Sequence, residues 1–307
     1  MTQRAAGVTR PNGPVTSLEL PSPRALRDDE VLIDVRAAGV GNWDELMRVG
    51  QWPSGLQPPH ALGVEAAGVV AAVSGPDLEP WLDRPVLTHT YPFRDGAAWA
   101  EHLIAPAGWI VEKPASLGWP EAAVFPVPAL TTVQAVAALE STERSIVGST
   151  VFVHGAGGVT GGWIAAALVD AGARVVATAG SGASRLAAAG VSEIVDRRER
   201  EWGRAVQSSA GEPIRLAVNA TPGGAAAVRN LIAPGGRLVS IAGDAPDEPG
   251  VVAIIVRPDA GQLAQALTLH AAGILALPEV ISFALEDAVA ALQHVLTRSG
   301  GAVALVM

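Results

Sequence analysis

Residues 151–162, Val-Phe-Val-His-Gly-Ala-Gly-Gly-Val-Thr-Gly-Gly, set a short apolar run against a glycine-rich turn and the start of a helix. That order of residue types suits one kind of chemistry. A pyrophosphate must come close to the backbone at a helix amino terminus, where unpaired N–H groups and the helix dipole attract it and any side chain would hold it off. The expected helix, residues 163–171, ends before Gly172, and residues 174–178 supply the next strand. Together they make a βαβ unit of about 30 residues, the context a dinucleotide-binding turn requires. Thr160 stands where the third glycine of the usual pattern falls, and Gly155, Gly158 and Gly161, spaced by three, keep its logic. A turn built only for close helix–sheet packing would be equally rich in glycine. The surrounding strand–turn–helix–strand context selects dinucleotide binding.

An acidic residue at the end of the second strand normally accepts the ribose 2′-hydroxyl of NAD. Here that stretch, residues 177–185, reads Ala-Thr-Ala-Gly-Ser-Gly-Ala-Ser-Arg and contains no acid. Ser181 and Arg185 instead suit a 2′-phosphate, which needs charge-assisted donors and is repelled by a carboxylate. NADPH is therefore the expected cofactor. Gly155, Gly157, Gly158, Val159, Thr160, Gly161, Ser181, Arg185 and Asn219 form the expected binding set.

Composition narrows the remaining chemistry. The 307 residues include no cysteine, which excludes disulfides, thiolate nucleophiles, iron–sulfur clusters and cysteine-based zinc sites. Lys113 is the only lysine and lies in a Glu-Lys-Pro loop signal; Tyr91 is the only tyrosine, so a Tyr-x-x-x-Lys catalytic pair cannot exist. His60, His89, His102, His154, His270 and His294 show no metal-binding spacing, and no metal is expected. With 21 basic against 30 acidic residues and no block of like charge, neither nucleic acid nor a membrane surface is an expected partner. No apolar stretch reaches the roughly 18 residues of a membrane span, and residues 1–13 lack the apolar segment of a secretory signal. A cytoplasmic location is expected.

The elements that must position these residues fall into two groups. The first third reads as short strands and turns: residues 31–36, then residues 63–73 around a buried-looking Glu65, punctuated by Pro53, Pro58, Pro59, Pro76, Pro80 and Pro85. From about Pro120 the pattern changes. Residues 121–139 have helical spacing, and apolar runs at 151–153, 175–177, 216–218, 238–241 and 251–256 then alternate with helical segments. Continuous apolar runs of this kind are parallel strands buried on both faces, so an α/β doubly wound parallel sheet is predicted. Further helices are expected at residues 262–272 and from Glu286, the latter with Val289, Leu292 and Leu296 on one face. The final apolar strand, residues 302–306, is expected to return to the first domain.

At this point the sequence resembles the medium-chain dehydrogenase/reductase superfamily, specifically its zinc-independent, zeta-crystallin-like quinone oxidoreductase branch. The similarity runs in order through Glu30-Val31-Leu32-Ile33, Ala38-Gly39-Val40, Asp44, Gly50-Gln51-Trp52, Gly63-Val64-Glu65-Ala66-Ala67-Gly68, Ala100-Glu101-His102, Pro128-Ala129-Leu130-Thr131, the glycine turn, Pro234-Gly235-Gly236-Arg237-Leu238 and Leu285-Glu286-Asp287-Ala288. The resemblance implies a β-rich, chaperonin-10-like (GroES-like) catalytic domain of residues 1–121 and 258–307, and a Rossmann cofactor domain of residues 122–257. It also implies that Thr131 bonds the nicotinamide or its ribose. Where zinc-dependent relatives place a cysteine and a histidine, this chain has Gly41 and Val64. Where related enoyl thioester reductases place a proton-donating tyrosine it has Trp52, whose indole can donate a hydrogen bond but cannot serve as a general acid.

These readings predict an NADPH-dependent reductase passing hydride to a quinone or an α,β-unsaturated carbonyl, with rate gained mainly from positioning. Asn42, Trp43, Trp52, Tyr91 and Phe93 are the candidate walls of the substrate cleft. The alternatives are an enoyl reductase or atypical tailoring enzyme of secondary metabolism, and a low-turnover NADPH-binding sensor or structural protein. A homodimer is expected, because residues 251–256 would otherwise form a long apolar sheet edge.

Overall fold

A computed structural model describes residues 1–52, 55–140, 145–297 and 301–307; Pro53 lies outside the described residues. The chain divides into two compact units, one of Met1–Val127, Arg257–Ala264 and Leu277–Met307, the other of Pro128–Val256 and Gln265–Ala276.

The second unit holds a six-stranded sheet in the order Glu193–Asp196, Arg174–Ala179, Thr150–His154, Leu216–Asn219, Arg237–Ser240, Val251–Ala253, every neighbouring pair parallel. The first strand in sequence lies in the middle, and the order reverses on its two sides. That is the doubly wound arrangement, whose ligands bind beyond the carboxyl ends of the strands at the point of reversal. The period of two in each strand supplies both faces. Phe152, Val176, Ala217 and Leu238 pack into one core, Val151, Val153, Val175, Ala177, Leu216, Val218 and Val239 into the other.

Several elements depart from expectation for local reasons. The strand Glu193–Asp196 was not anticipated, because an edge strand beginning and ending in acids lacks the apolar signature of its neighbours. The helical stretch 121–139 is two helices, Trp119–Ala123 and Pro126–Leu139, since Pro126 offers no N–H and disfavours helical geometry in the residue before it. Only Val251–Ala253 of the last run pairs as a strand. Residues 265–276 cluster with the second unit, where Trp163 Nε1 donates to Ala276 O at 2.8 Å. Residues 122–127 belong to the first unit, tied there by a bond from the Val127 N–H to Glu65.

In the first unit, a seven-stranded sheet follows the path Val280–Ala284, Ala302–Val306, Glu30–Val40, Glu65–Val73, Pro85–His89, Ile110–Glu112, with His102–Pro106 also pairing Glu30–Val40. The terminal strand returns as expected and pairs antiparallel to Glu30–Val40, Val303 opposite Val40. A three-stranded sheet, Thr16–Pro21, Thr2–Val8 and His60–Ala61, completes it. The helix Ala288–Thr297 buries Ala288, Ala291 and Leu292, while Val289 and Leu296 are exposed. The expected apolar face was therefore rotated: small alanines pack where larger side chains were anticipated.

Candidate functional site

The strand Thr150–His154 delivers the chain into a turn whose backbone is pinned to the neighbouring strand. The Gly155 N–H donates to Thr178 Oγ1 at 3.1 Å, and the Ala156 N–H to Thr178 O at 2.9 Å. Gly155 has φ +84°, and a Cβ there would fall 2.2 Å from Thr221 Oγ1. A Cβ on Gly157 would meet Ser181 O at 2.4 Å, and one on Gly161 would meet Gly155 O at 2.5 Å. These three glycines are demanded by the unit's own packing, and Gly161 takes the helix-packing role left open by Thr160. Gly158 differs. A Cβ there would find only Gly155 O, at 3.8 Å, so the protein itself does not require glycine.

Gly158 caps the helix Val159–Asp170 in extended geometry without a side-chain cap. The first turn, with Val159 and Thr160, therefore begins without a side chain covering its N–H groups, and its dipole adds positive potential. A phosphate fits this combination of uncapped donors and unfilled glycine position.

Beyond the second strand, Ser181 is exposed and Arg185 donates from Nη2 to Gly157 O at 2.8 Å. The structure adds what local sequence could not show: the strand Glu193–Asp196 sets Asp196 directly opposite Ala179. An acid thus does stand beside the second strand's end, followed by Arg197 and Arg198. Their signal lay in the register of an unanticipated strand.

Asn219, expected to touch cofactor, is fully buried and committed within the protein. Its amide nitrogen donates to Ser240 Oγ at 3.1 Å, Thr221 O at 3.1 Å and Asp244 Oδ1 at 3.0 Å, and its oxygen accepts the Thr221 N–H at 3.2 Å. Asp244 also accepts from Ser240 Oγ at 2.7 Å and from the Ala225 N–H at 3.0 Å. This network fixes the loops after two central strands. His154 is likewise packed, its ring stacked on Trp202 with centroids 4.6 Å apart and its Nδ1 2.8 Å from Thr178 Oγ1. Burial and the nearby Arg197 charge hold its pKa below the usual histidine value, against an opposing pull from Asp244. Thr131 is buried in the helix Pro126–Leu139.

In the first unit the structure brings together three of the five expected cleft residues. Trp52 and Tyr91 have ring centroids 4.9 Å apart, and Phe93 meets Tyr91 edge-on at 5.6 Å. The backbone of Trp52 is tied to Leu46 O at 3.0 Å. Trp43 is not part of that cluster: its ring lies over Gly41, where a Cβ would come within 2.1 Å of Cε2. Asn42 begins the helix Asn42–Arg48 and is exposed.

The first unit also holds two buried carboxylates. Asp44 accepts N–H bonds from Gly41 at 2.8 Å and Gly63 at 3.1 Å, and burial pushes its pKa up to about 8 although both donors pull the other way. Glu65 accepts the Val127 N–H at 2.7 Å, and burial raises its pKa well above the usual carboxylate range, with Asp44 adding to the rise. His89, opposite Glu65 in register, bonds Val64 O through Nδ1 at 2.8 Å. Among the described residues no group of three or more His, Asp or Glu side chains is placed to hold a metal ion. Lys113 donates to Pro114 O at 3.1 Å and to Leu117 O and lies over the Trp119 ring, a loop-fastening role. Among the described residues, no helix is long and apolar enough to cross a membrane.

A doubly wound parallel sheet joined to this β-rich unit defines a class. The chain matches, over residues 27–115, the alcohol dehydrogenase GroES-like domain family. More particularly, it is 29% identical over 231 residues to the putative quinone oxidoreductase YhfP of Bacillus subtilis, covering 70% of this chain and 69% of that protein. It is 32% identical over 219 residues, 69% of this chain, to the phthioceranic/hydroxyphthioceranic acid synthase of Mycobacterium tuberculosis. The chain spans only about 10% of that synthase's length. The fold matches the structure of the quinone oxidoreductase from Coxiella burnetii with a TM-score of 0.84, at 19% identity and complete coverage of both chains.

Proposed function

We propose that this protein is a zinc-independent, NADPH-dependent reductase acting on a quinone or an α,β-unsaturated carbonyl compound. The observation that carries the cofactor reading is the uncapped turn around Gly158, set beside an arginine-rich strand end. Zinc independence is supported by Val64 and by Gly41, where the Trp43 ring occupies the space any side chain would need.

When bound, the nicotinamide supplies hydride from C4. The chain's own residues do the rest. Gly158, Val159 and Thr160 hold the pyrophosphate with backbone N–H groups, Gly155, Gly157 and Gly161 shape the turn, and Ser181 and the neighbouring arginines meet the adenosine ribose and its phosphate. Thr131 orients the nicotinamide side. Trp52, Tyr91 and Phe93, with rings inclined to one another by 54° and 89°, offer an apolar corner against whose ring faces a conjugated acceptor packs. Asp44 and Glu65 are committed to backbone N–H groups, Asp44 holding the loops around Gly41 and Gly63 and Glu65 holding Val127; they do not deliver the proton. Hydride addition to a quinone or enone leaves an oxyanion whose conjugate acid is far more acidic than an alcohol, so solvent completes the reaction. A plain ketone would leave an alkoxide, which needs an acid or a metal to be made at useful rates.

The purified protein should consume NADPH in the presence of a simple quinone or enone and show negligible oxidation of simple alcohols with NADP⁺. Rapid alcohol oxidation, or about one tightly held zinc per chain by elemental analysis, would overturn the reading. The similarity to a segment of a much longer acid synthase favours one alternative, reduction of an enoyl thioester in biosynthesis. Turnover confined to thioesters would select it. Binding of NADPH without turnover on any acceptor would select a sensor. We also propose a homodimer joined along Val251–Ala253, the edge strand next to the 61%-exposed Ile255; a monomeric mass at micromolar concentration would overturn that assembly.

A further inference from the structure

Three arginines crowd the carboxyl ends of Arg174–Ala179 and Glu193–Asp196, and their side chains are committed differently. Arg185 is engaged by the glycine turn: Nη2 donates to Gly157 O at 2.8 Å, and the side chain lies against Gly182. Arg198 folds back onto the strand end, with Nε 2.9 Å from Asp196 Oδ1 and Nη2 2.8 Å from Asp196 Oδ2. Arg197 does neither. Its backbone N–H holds Ala179 O at 3.2 Å, and its exposed side chain lies along Gly180, whose missing Cβ would fall 2.7 Å from Nε. Among the described residues, nothing accepts a hydrogen bond from its guanidinium and no carboxylate pairs with it.

Asp196 gives this difference its consequence. Its Cα is in register with Ala179, so its carboxylate stands beside the chain end where an adenosine ribose would lie. A free carboxylate there would repel a phosphate and capture Arg197. The bidentate Arg198 bonds occupy both oxygens and hold this carboxyl below the usual range. An ion pair this exposed adds little to stability, so its main effect is on local charge.

We propose that Arg197 is the specificity residue for a 2′-phosphorylated adenosine, that Arg185 braces the glycine turn, and that the Asp196–Arg198 pair keeps Arg197 available. This rests on the NADPH reading above and assigns its discriminating charge to a residue outside the glycine-turn βαβ unit. Gly180 is part of the device, because a side chain there would displace Arg197 from the strand end.

Calorimetric titration with 2′,5′-ADP and 5′-AMP, which differ only in the 2′-phosphate, tests the assignment on the intact chain. The unmutated protein should prefer 2′,5′-ADP by ten-fold or more, equivalent to about 1.4 kcal/mol. Arg197→Ala should erase that preference while leaving 5′-AMP affinity unchanged, and Arg197→Lys should restore part of it. Arg185→Ala should weaken both probes by the same factor. Arg198→Ala should weaken 2′,5′-ADP alone by several-fold, and adding Asp196→Asn should recover the loss. An Arg197→Ala protein that keeps the preference, or that loses both probes equally, would overturn the assignment while leaving NADPH dependence standing. An unmutated protein that binds the two probes equally would overturn the NADPH reading itself.

Discussion

The carboxyl ends of the parallel sheet and the aromatic corner of the first unit treat polar groups in opposite ways. At the sheet ends charge is presented: the helix Val159–Asp170 starts uncapped, and Arg197 lies exposed along Gly180. In the first unit the charges are withdrawn. Asp44 and Glu65 are buried on backbone N–H groups, while Trp52, Tyr91 and Phe93 are half-buried. On the function proposed above, one region would recognise a ligand by charge and close backbone approach, the other by shape and apolar contact. On that proposed function, the difference is the means by which a reductase would dispense with a metal. Strong polar recognition would serve a large anionic cofactor, whereas a conjugated acceptor would need mainly to be held.

The sharpest way to break this contrast is at Gly158. Gly158→Val should leave the fold intact, because nothing in the unit fills that space, yet lower nucleotide affinity by about 100-fold or more, roughly 2.7 kcal/mol or more. Gly161→Val should instead fail to fold normally, since its side chain would strike Gly155 O. Thermal melts paired with nucleotide titrations separate the two. Equal loss of melting temperature in both variants would remove the distinction between packing glycines and a ligand-facing one.

In the aromatic corner, Trp52→Ala should lower kcat/KM for a quinone by about ten-fold through poorer positioning, while Trp52→Phe retains most turnover. A collapse of kcat in Trp52→Phe would mean that the indole N–H takes part in the chemistry, and the corner would no longer be one of shape alone.

A smaller effect tests the buried carboxylates. The folded-state pKa of Glu65 is raised, so the folded protein holds this proton more tightly than the unfolded chain does. Its stabilising contribution is full below the unfolded carboxylate value, near 4.5, and is lost as pH rises from there through the raised folded value. Glu65→Gln keeps an acceptor for the Val127 N–H and removes the titration. The variant should gain on the unmutated protein as pH rises above about 4.5, by roughly 2–4 °C in Tm for each kcal/mol recovered. A Tm difference independent of pH would show that Glu65 does not change protonation on folding.

The smallest expected effect is ionic. Raising salt from about 50 to 200 mM should weaken NADPH binding several-fold, because exposed arginines are screened, and should leave KM for an uncharged quinone nearly unchanged. Equal salt dependence of both would erase the contrast between the regions.

The local sequence of residues 150–179 already determined a strand, a glycine turn and a buried helix, because hydrogen bonds within a helix and the constraints on glycine depend on near neighbours. Composition excluded cysteine chemistry in the same direct way. The tertiary structure alone decided which glycine faces outward, since Gly157 meets Ser181 and Gly155 meets Thr221 from distant segments. It also turned Asn219 inward and gathered Trp52, Tyr91 and Phe93 without Trp43. Asp196 is the clearest case. A search for an acid along the second strand finds none, yet the parallel register of the neighbouring strand sets one opposite Ala179, paired with Arg198 and leaving Arg197 exposed. Propensity and pattern act over a few residues, whereas strand register and burial depend on how segments far apart in the chain pack together.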